Sequence, residues 1–102
     1  MKIALVGYGK MGHMIEQCAK RAGHQIVVTI DTIAEDAAVK VPSGDGAAVA
    51  RAVKSSGAEG IIEFSHPTAV IENVKALLPL GLPLEVSRLV PVRSDLSDWY
   101  AI

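Results

Sequence analysis

Residues 2–31 combine an apolar strand, a glycine-rich turn, a helix and a second strand that ends in an acid. The turn reads Gly-Tyr-Gly-Lys-Met-Gly over residues 7–12, and the second strand ends at Asp31. Gly7 permits the tight turn, Gly9 lets the backbone approach a ligand, and Gly12 lets the helix lie close to the strand. Amides at a helix N-terminus bind phosphate, and an acid about twenty residues further on accepts hydrogen bonds from a ribose. The sequence therefore predicts a dinucleotide site.

The composition favours a buried parallel sheet. Half of the 102 residues are hydrophobic but only 4% are aromatic, so Val, Ile, Leu and Ala must form the core. Such a composition is typical of parallel strands that are covered on both faces. The mean hydropathy of +0.34 is high for a lone domain, and we expect an exposed apolar face and a homo-oligomer.

The net charge and the cysteine content indicate which partners and which cellular compartment are expected. The net charge is −1 and no basic run is present, so we expect no nucleic acid and no anionic membrane as a partner. No segment approaches the roughly 18 apolar residues of a membrane helix, and no signal peptide is visible. The single cysteine, Cys18, cannot form an internal disulfide, and a reducing, cytoplasmic location is expected.

Periodicity predicts three helices, over residues 10–22, over residues 45–55 and from Pro67 onward. The first should bury one stripe of residues: Met11, Met14, Ile15, Cys18, Ala19 and Ala22. The third should turn Leu78 and other apolar residues inward, and residues 32–44 have room for one short strand. The order is β-α-β-(β)-α-β-α-β, which predicts a Rossmann-type α/β fold, a doubly wound parallel sheet in a single three-layer domain. We place this domain at residues 1–86 and regard residues 87–102 as an atypical tail.

A second group of polar residues follows the strand at residues 60–64. Ser65, His66 and Pro67 come at its carboxyl end, where ligands bind in open parallel sheets. Pro67 suits the first position of a helix, and we interpret His66 as a helix cap. Glu63 either is buried or points into the crevice, and the sequence does not choose between these positions.

The two loops together resemble a known family. Gly-Tyr-Gly-Lys-Met-Gly at residues 7–12, with Phe-Ser-His-Pro at residues 64–67, is similar to the amino-terminal domain of 4-hydroxy-tetrahydrodipicolinate reductase. The resemblance implies hydride delivery from NADH or NADPH to a dipicolinate precursor in lysine biosynthesis. It implies these cofactor-binding residues: Gly7, Gly9, Lys10, Met11, Gly12, Asp31, Phe64 and Ser65.

The chain departs from that family in two respects. After Leu84 the family continues with a Gly-Thr-Thr-Gly-Trp type of loop, which this sequence does not contain. The family's carboxyl-terminal domain supplies the basic residues that bind substrate, a pair of histidines with a lysine, and the tetramer contacts. We expect these 102 residues to bind cofactor, to contain no catalytic residue and to act on a dipicolinate-type substrate only if that domain is supplied.

The preferred cofactor depends on two residues with opposite charge. Asp31 favours NADH because a carboxylate beside the ribose repels a 2′-phosphate. Lys10 lies in the phosphate loop and can reach such a phosphate, so NADPH is possible, although we favour NADH. His13 is expected to face solvent, and no histidine stands at metal-ligand spacing from Cys18 or a carboxylate, so no metal is expected.

Two other functions remain open. A non-catalytic NAD(P)-binding regulatory or sensor module would share the cofactor site without the catalytic half. A different Rossmann oxidoreductase, of the homoserine or aspartate-semialdehyde dehydrogenase type, would also open on a glycine turn. The pairing of Lys10 and Met11 with the Phe64–Ser65 loop argues against that last class.

Overall fold

Strands and helices alternate along residues 1–86, the part of the chain that the computed structural model describes. The elements are β1 (Lys2–Val6), α1 (Lys10–Arg21), β2 (Gln25–Asp31), β3 (Val39–Lys40), α2 (Gly46–Ser56), β4 (Gly60–Glu63), α3 (Pro67–Leu77) and β5 (Leu84–Val86), with a 3-10 turn at Leu78–Leu80. The predicted order is confirmed, and β3 is the short strand for which residues 32–44 had room. The tail expected over residues 87–102 lies outside the described residues.

The strands form one parallel sheet in the order β3-β2-β1-β4-β5. Val6, the last residue of β1, is in register with Ile30 of β2 on one side and with Glu63 of β4 on the other. The direction of strand order reverses between β1 and β4, and such a reversal opens a crevice at the carboxyl ends of the strands. The predicted Rossmann-type α/β fold is confirmed.

The main core lies between the sheet and the helices α2 and α3. Ala4 and Val6 of β1 pack in one cluster with Val49 and Val53 of α2 and with Leu77 of α3. Side chains alternate along a strand, so Ile3 and Leu5 face the opposite side of the sheet. The helix α1 contacts β1 and β2. The domain therefore has three layers, and α2 and α3 pack against one another in one of them.

Local capping residues set the bounds of α2 as the sequence predicts. The Asp45 carboxylate accepts a hydrogen bond of 3.0 Å from the Ala48 amide, which is an N-cap. Gly57 follows the helix with φ +74°, the left-handed conformation that glycine adopts without strain. These two residues fix where α2 begins and ends, and Asp45 thereby marks the end of the loop that leads from β3.

The predicted buried stripe of α1 is wrong. Four of its members are exposed: Met11, Met14, Cys18 and Ala22. The buried residues of the helix are Gly12 and Ala19, and Ile15 is half-buried between them. Small residues let the helix lie close to the sheet, so a narrow stripe is covered and the larger neighbouring side chains stay outside.

Leu78 also differs from the prediction, because it is 54% exposed. It begins the 3-10 turn after α3, and the tighter turn rotates its side chain away from the buried face of the helix. In the described part of the chain, no helix combines the length and hydropathy needed to span a bilayer.

Candidate functional site

The loops after β1 and β4 touch at the point where strand order reverses. The Phe64 amide donates a hydrogen bond of 2.6 Å to the Val6 carbonyl, and the Gly7 amide donates one of 2.7 Å to the Ile30 carbonyl. Gly7 has φ +101°, and a Cβ there would overlap the Phe64 carbonyl oxygen and lie 2.9 Å from the Ser65 nitrogen. Glycine is therefore required at residue 7 by its conformation and by its neighbours. The two predicted loops do lie together.

The first turn of α1 is open to an anion. Gly9 is the N-cap and supplies no side chain to the first amides of the helix. A Cβ added at Gly9 would meet no atom within 4 Å, so the space in front of this backbone is clear. Lys10 and Met11 follow on the exposed side of the turn. Unpaired amides and the positive end of the helix dipole favour phosphate at such a place.

The Asp31 carboxylate is held beside this loop by backbone amides. It accepts hydrogen bonds of 3.1 Å from Tyr8, 3.1 Å from Ile33 and 2.7 Å from Ala34. Partial burial acts to raise the pKa of Asp31, but the amides of Ala34, Tyr8, Ile33 and Thr32 outweigh it, so the pKa lies below its usual value. An ionised carboxylate thus lies next to the glycine turn, where the sequence predicts a ribose acceptor.

A cavity of about 290 Å³ lies over the carboxyl ends of the strands. Three of the predicted cofactor residues line it, namely Gly7, Asp31 and Ser65. The loop over residues 41–44, between β3 and α2, also lines the cavity, and α3 contributes Thr68 and Ala69 from its first turn and Asn73 from its middle. Gly9, Lys10, Met11 and Gly12 belong to the adjoining turn of α1, and the Phe64 carbonyl faces Gly7.

A buried acid supports the loop after β4. Glu63 is fully buried, and its carboxylate accepts hydrogen bonds from the Ser65 amide at 2.8 Å, the Ser65 hydroxyl at 2.7 Å and the Asn73 amide group at 2.9 Å. Burial is thus the correct alternative for Glu63. Sequence reasoning missed Asn73, although a polar residue on the predicted buried face of α3, beside Val70 and Val74, was an available signal.

His13 does not simply face solvent as predicted, because both of its ring nitrogens meet acceptors. Nδ1 lies 2.8 Å from the Gly9 carbonyl oxygen, and Nε2 contacts the Asp36 carboxylate. The ring stacks on Tyr8, with 3.9 Å between the ring centroids. The hydrogen bond to Gly9 and then that to Asp36 raise the pKa of His13, while His13 lowers the pKa of Asp36. The geometry and both shifts favour an imidazolium.

Tyr8 completes this group from the other side. Its hydroxyl donates a hydrogen bond of 2.7 Å to Glu16, and this bond, with burial, raises the pKa of Tyr8 to about 12. Tyr8 is therefore a neutral donor that fixes the glycine turn against α1.

His66 caps α3, as the sequence predicts. Its Nδ1 accepts a hydrogen bond of 3.3 Å from the Thr68 amide. Across residues 1–86 no group of three or more His, Cys, Asp or Glu side chains is placed to hold a metal ion.

Known proteins resemble this chain at three levels. Residues 1–86 match the family described as "Dihydrodipicolinate reductase, N-terminus". A 4-hydroxy-tetrahydrodipicolinate reductase from Christiangramia forsetii is 31% identical over 84 residues, which are 82% of this chain and 29% of that protein. The solved structure of the precorrin-6A reductase CobK has a TM-score of 0.60 at 14% identity, over 92% of this chain and 40% of that chain. This last likeness concerns the fold alone.

Proposed function

The chain belongs to the dihydrodipicolinate reductase family, and from that membership we propose that residues 1–86 bind NADH, with NADPH as a second cofactor. The observation that carries the proposal is the hydrogen bond from the Tyr8 amide to Asp31. It joins the acid at the end of β2 directly to the glycine turn. A ribose acceptor and a phosphate site are then neighbours, as a dinucleotide needs.

Different residues of this chain would bind different parts of the cofactor. The amides from Gly9 to Gly12, at the start of α1, would hold the two phosphates, and Lys10 would add a positive charge there. Asp31 accepts from the adenosine ribose. Ser65 lines the same cavity from the loop after β4, and it would lie beside the nicotinamide. When bound, the cofactor supplies a hydride.

For the whole protein we propose the reaction named for its relative. The cofactor would supply the hydride that reduces 4-hydroxy-tetrahydrodipicolinate to tetrahydrodipicolinate, with loss of the 4-hydroxyl group as water, a step in lysine biosynthesis. This chain spans 29% of the relative's length, so only cofactor binding is assigned to the residues described above. A polypeptide of these 102 residues is expected to bind cofactor, and to reduce substrate only together with the substrate-binding domain of the family.

Titration of NADH fluorescence tests the cofactor site directly. We expect saturable binding by the 102-residue chain with a Kd in the micromolar range, as is reasonable for a preformed cavity of this size. No change in NADH fluorescence at millimolar protein would contradict the proposal.

Asp31→Asn tests the ribose contact. Losing a charged acceptor is expected to weaken NADH about tenfold. The same change removes a charge that repels a 2′-phosphate, so the ratio of the NADPH Kd to the NADH Kd should fall. Asp45→Asn is the matched control, because it removes one charge while Asn remains a good N-cap, and cofactor binding should not change. Equal effects of the two variants would argue against a ribose contact.

Gly9→Ala tests the phosphate contact. Gly9 has φ −80°, and its Cβ would enter open space, so the fold should persist. The new methyl group would occupy the space that the phosphates need, and we expect NADH affinity to fall about tenfold or more. Calorimetric titration of the folded variant measures this, and an unchanged Kd would place the phosphates elsewhere.

A further inference from the structure

The loop over residues 32–38, between β2 and β3, is joined to the phosphate turn by His13 as well as by the Asp31 carboxylate. His13 of α1 reaches the Gly9 carbonyl through Nδ1 and Asp36 of this loop through Nε2. Both acceptors lack a proton to give, so the ring satisfies both only as an imidazolium that donates twice. The tie through His13 therefore contains one positive and one negative charge beside the ribose-binding acid, Asp31.

The charges that face this tie are mostly acidic. Glu16 faces His13 from the next turn of α1, and Asp31 faces Asp36 from the end of β2. Tyr8 stacks on the imidazole and stays neutral, because the hydrogen bond to Glu16 raises its pKa. His13 is thus the cation that Glu16 and Asp36 face, Asp31 faces Asp36, and Lys20 pairs with Glu16 at 3.6 Å. A 2′-phosphate arriving here finds the imidazolium already paired.

Resting on the proposed function, we propose that Asp36 is a specificity-determining residue that selects NADH by holding the His13 imidazolium. Asp31 acts on the ribose itself. Asp36 acts at a second point, because it pairs with the His13 imidazolium and adds a negative charge near Asp31. The ion pair His13–Asp36 then works against NADPH while leaving the ribose contact of NADH intact.

Asp36→Asn should free the imidazolium for a 2′-phosphate. We expect the ratio of the NADPH Kd to the NADH Kd to fall about fivefold or more at pH 6, since a charge-assisted contact replaces a repulsion. The NADH Kd should change less than about twofold. The gain for NADPH should shrink at pH 8, because His13 loses its charge as the pH rises through its pKa. Equilibrium titration of NADH and of NADPH with the wild-type 102-residue chain and with the variant, at pH 6 and at pH 8, gives the eight constants.

Glu35→Gln is the matched control. Glu35 is the neighbouring acid, its side chain is 93% exposed, and its partner is Lys40 instead of His13. The variant Glu35→Gln removes one negative charge from the same loop, as Asp36→Asn does. The ratio of the NADPH Kd to the NADH Kd should change less than about twofold. The double variant Asp36→Asn with His13→Gln should lose most of the gain. Asp36 is exposed, so folding should persist, and Asp36→Ser provides a second variant.

Two failures are distinguishable. If the wild-type chain binds neither cofactor, the proposed function fails and takes this inference with it. If NADH binds but Asp36→Asn shifts the ratio no more than Glu35→Gln does, only the role of Asp36 is overturned. The same conclusion follows if the double variant keeps the full gain, because the imidazolium would then not be the group that meets the phosphate.

Discussion

Gly7→Ala is expected to lower the free energy of unfolding by about 3 kcal/mol or more. A Cβ would overlap the Phe64 carbonyl oxygen, and φ +101° is strained for any residue with a side chain. Neither the turn at Gly7 nor the loop at Phe64 can move easily, because the Phe64 amide donates a hydrogen bond to Val6 and the Gly7 amide donates one to Ile30. A domain of this size has about 5–10 kcal/mol of stability, so the midpoint temperature should fall by about 15 °C or more.

Gly9→Ala is the control for Gly7→Ala. It shows how much stability is lost when a glycine of this turn is replaced without backbone strain or a steric clash. The two residues lie in the same turn, but only Gly7 has positive φ and a backbone neighbour in the way of a Cβ. The alanine at residue 9 should cost no more than about 1 kcal/mol as a poorer N-cap. Thermal unfolding followed by circular dichroism compares them. Equal midpoints would show that the contact between Gly7 and Phe64 carries no stability.

The parts that the sequence predicts are those set by neighbouring residues. The turn after β1, the cap at Asp45 and the stop at Gly57 each depend on a few adjacent positions, and all three are present in the structure. The alternation of strands and helices also predicts the parallel sheet, since right-handed crossovers leave few other arrangements.

The face of α1 could not be predicted in the same way. Apolar residues at helical spacing show that a helix has a buried side, but they do not show which of two adjacent stripes the sheet covers. Here the close approach at Gly12, where a Cβ would lie 2.5 Å from the Gly7 carbonyl oxygen, sets the contact. Met11 and Met14, beside that line, remain outside.

The contacts that build the site are also beyond local pattern. Tyr8 meets Asp31, and His13 meets Asp36, across 23 residues of sequence in each case. Both pairings depend on the register of β1 and β2 and on the path of the loop after Asp31. Sequence spacing supplies the chemistry of Asp31 but not the amides that hold it, and it gives no sign that residue 36 returns to the phosphate turn.

Glu63→Ala is expected to lower the free energy of unfolding by about 3–5 kcal/mol. The change leaves the Ser65 amide and the Asn73 side-chain amide without their buried acceptor and opens a cavity at the end of β4. An unpaired buried donor costs more than its hydrogen bond contributes, which is why the loss should be large. Urea unfolding measures it. Glu85→Ala, an exposed acid on β5, should change stability by no more than about 0.5 kcal/mol.

The same variant should also affect the cofactor, because Glu63 acts through the loop that touches Gly7. Glu63 holds Ser65 by accepting hydrogen bonds from the Ser65 amide and the Ser65 hydroxyl. The preceding residue, Phe64, packs with its carbonyl group on Gly7 of the turn after β1. Glu63→Gln keeps the volume and one acceptor oxygen, so we expect it to recover at least half of the stability lost in Glu63→Ala. NADH affinity should follow the same ranking, with Glu63→Gln closer to the wild type than Glu63→Ala. If Glu63→Ala weakens folding while the folded fraction binds NADH as the wild type does, the buried acid supports the core alone, and the position of the loop after β4 is set by the bond from Phe64 to Val6.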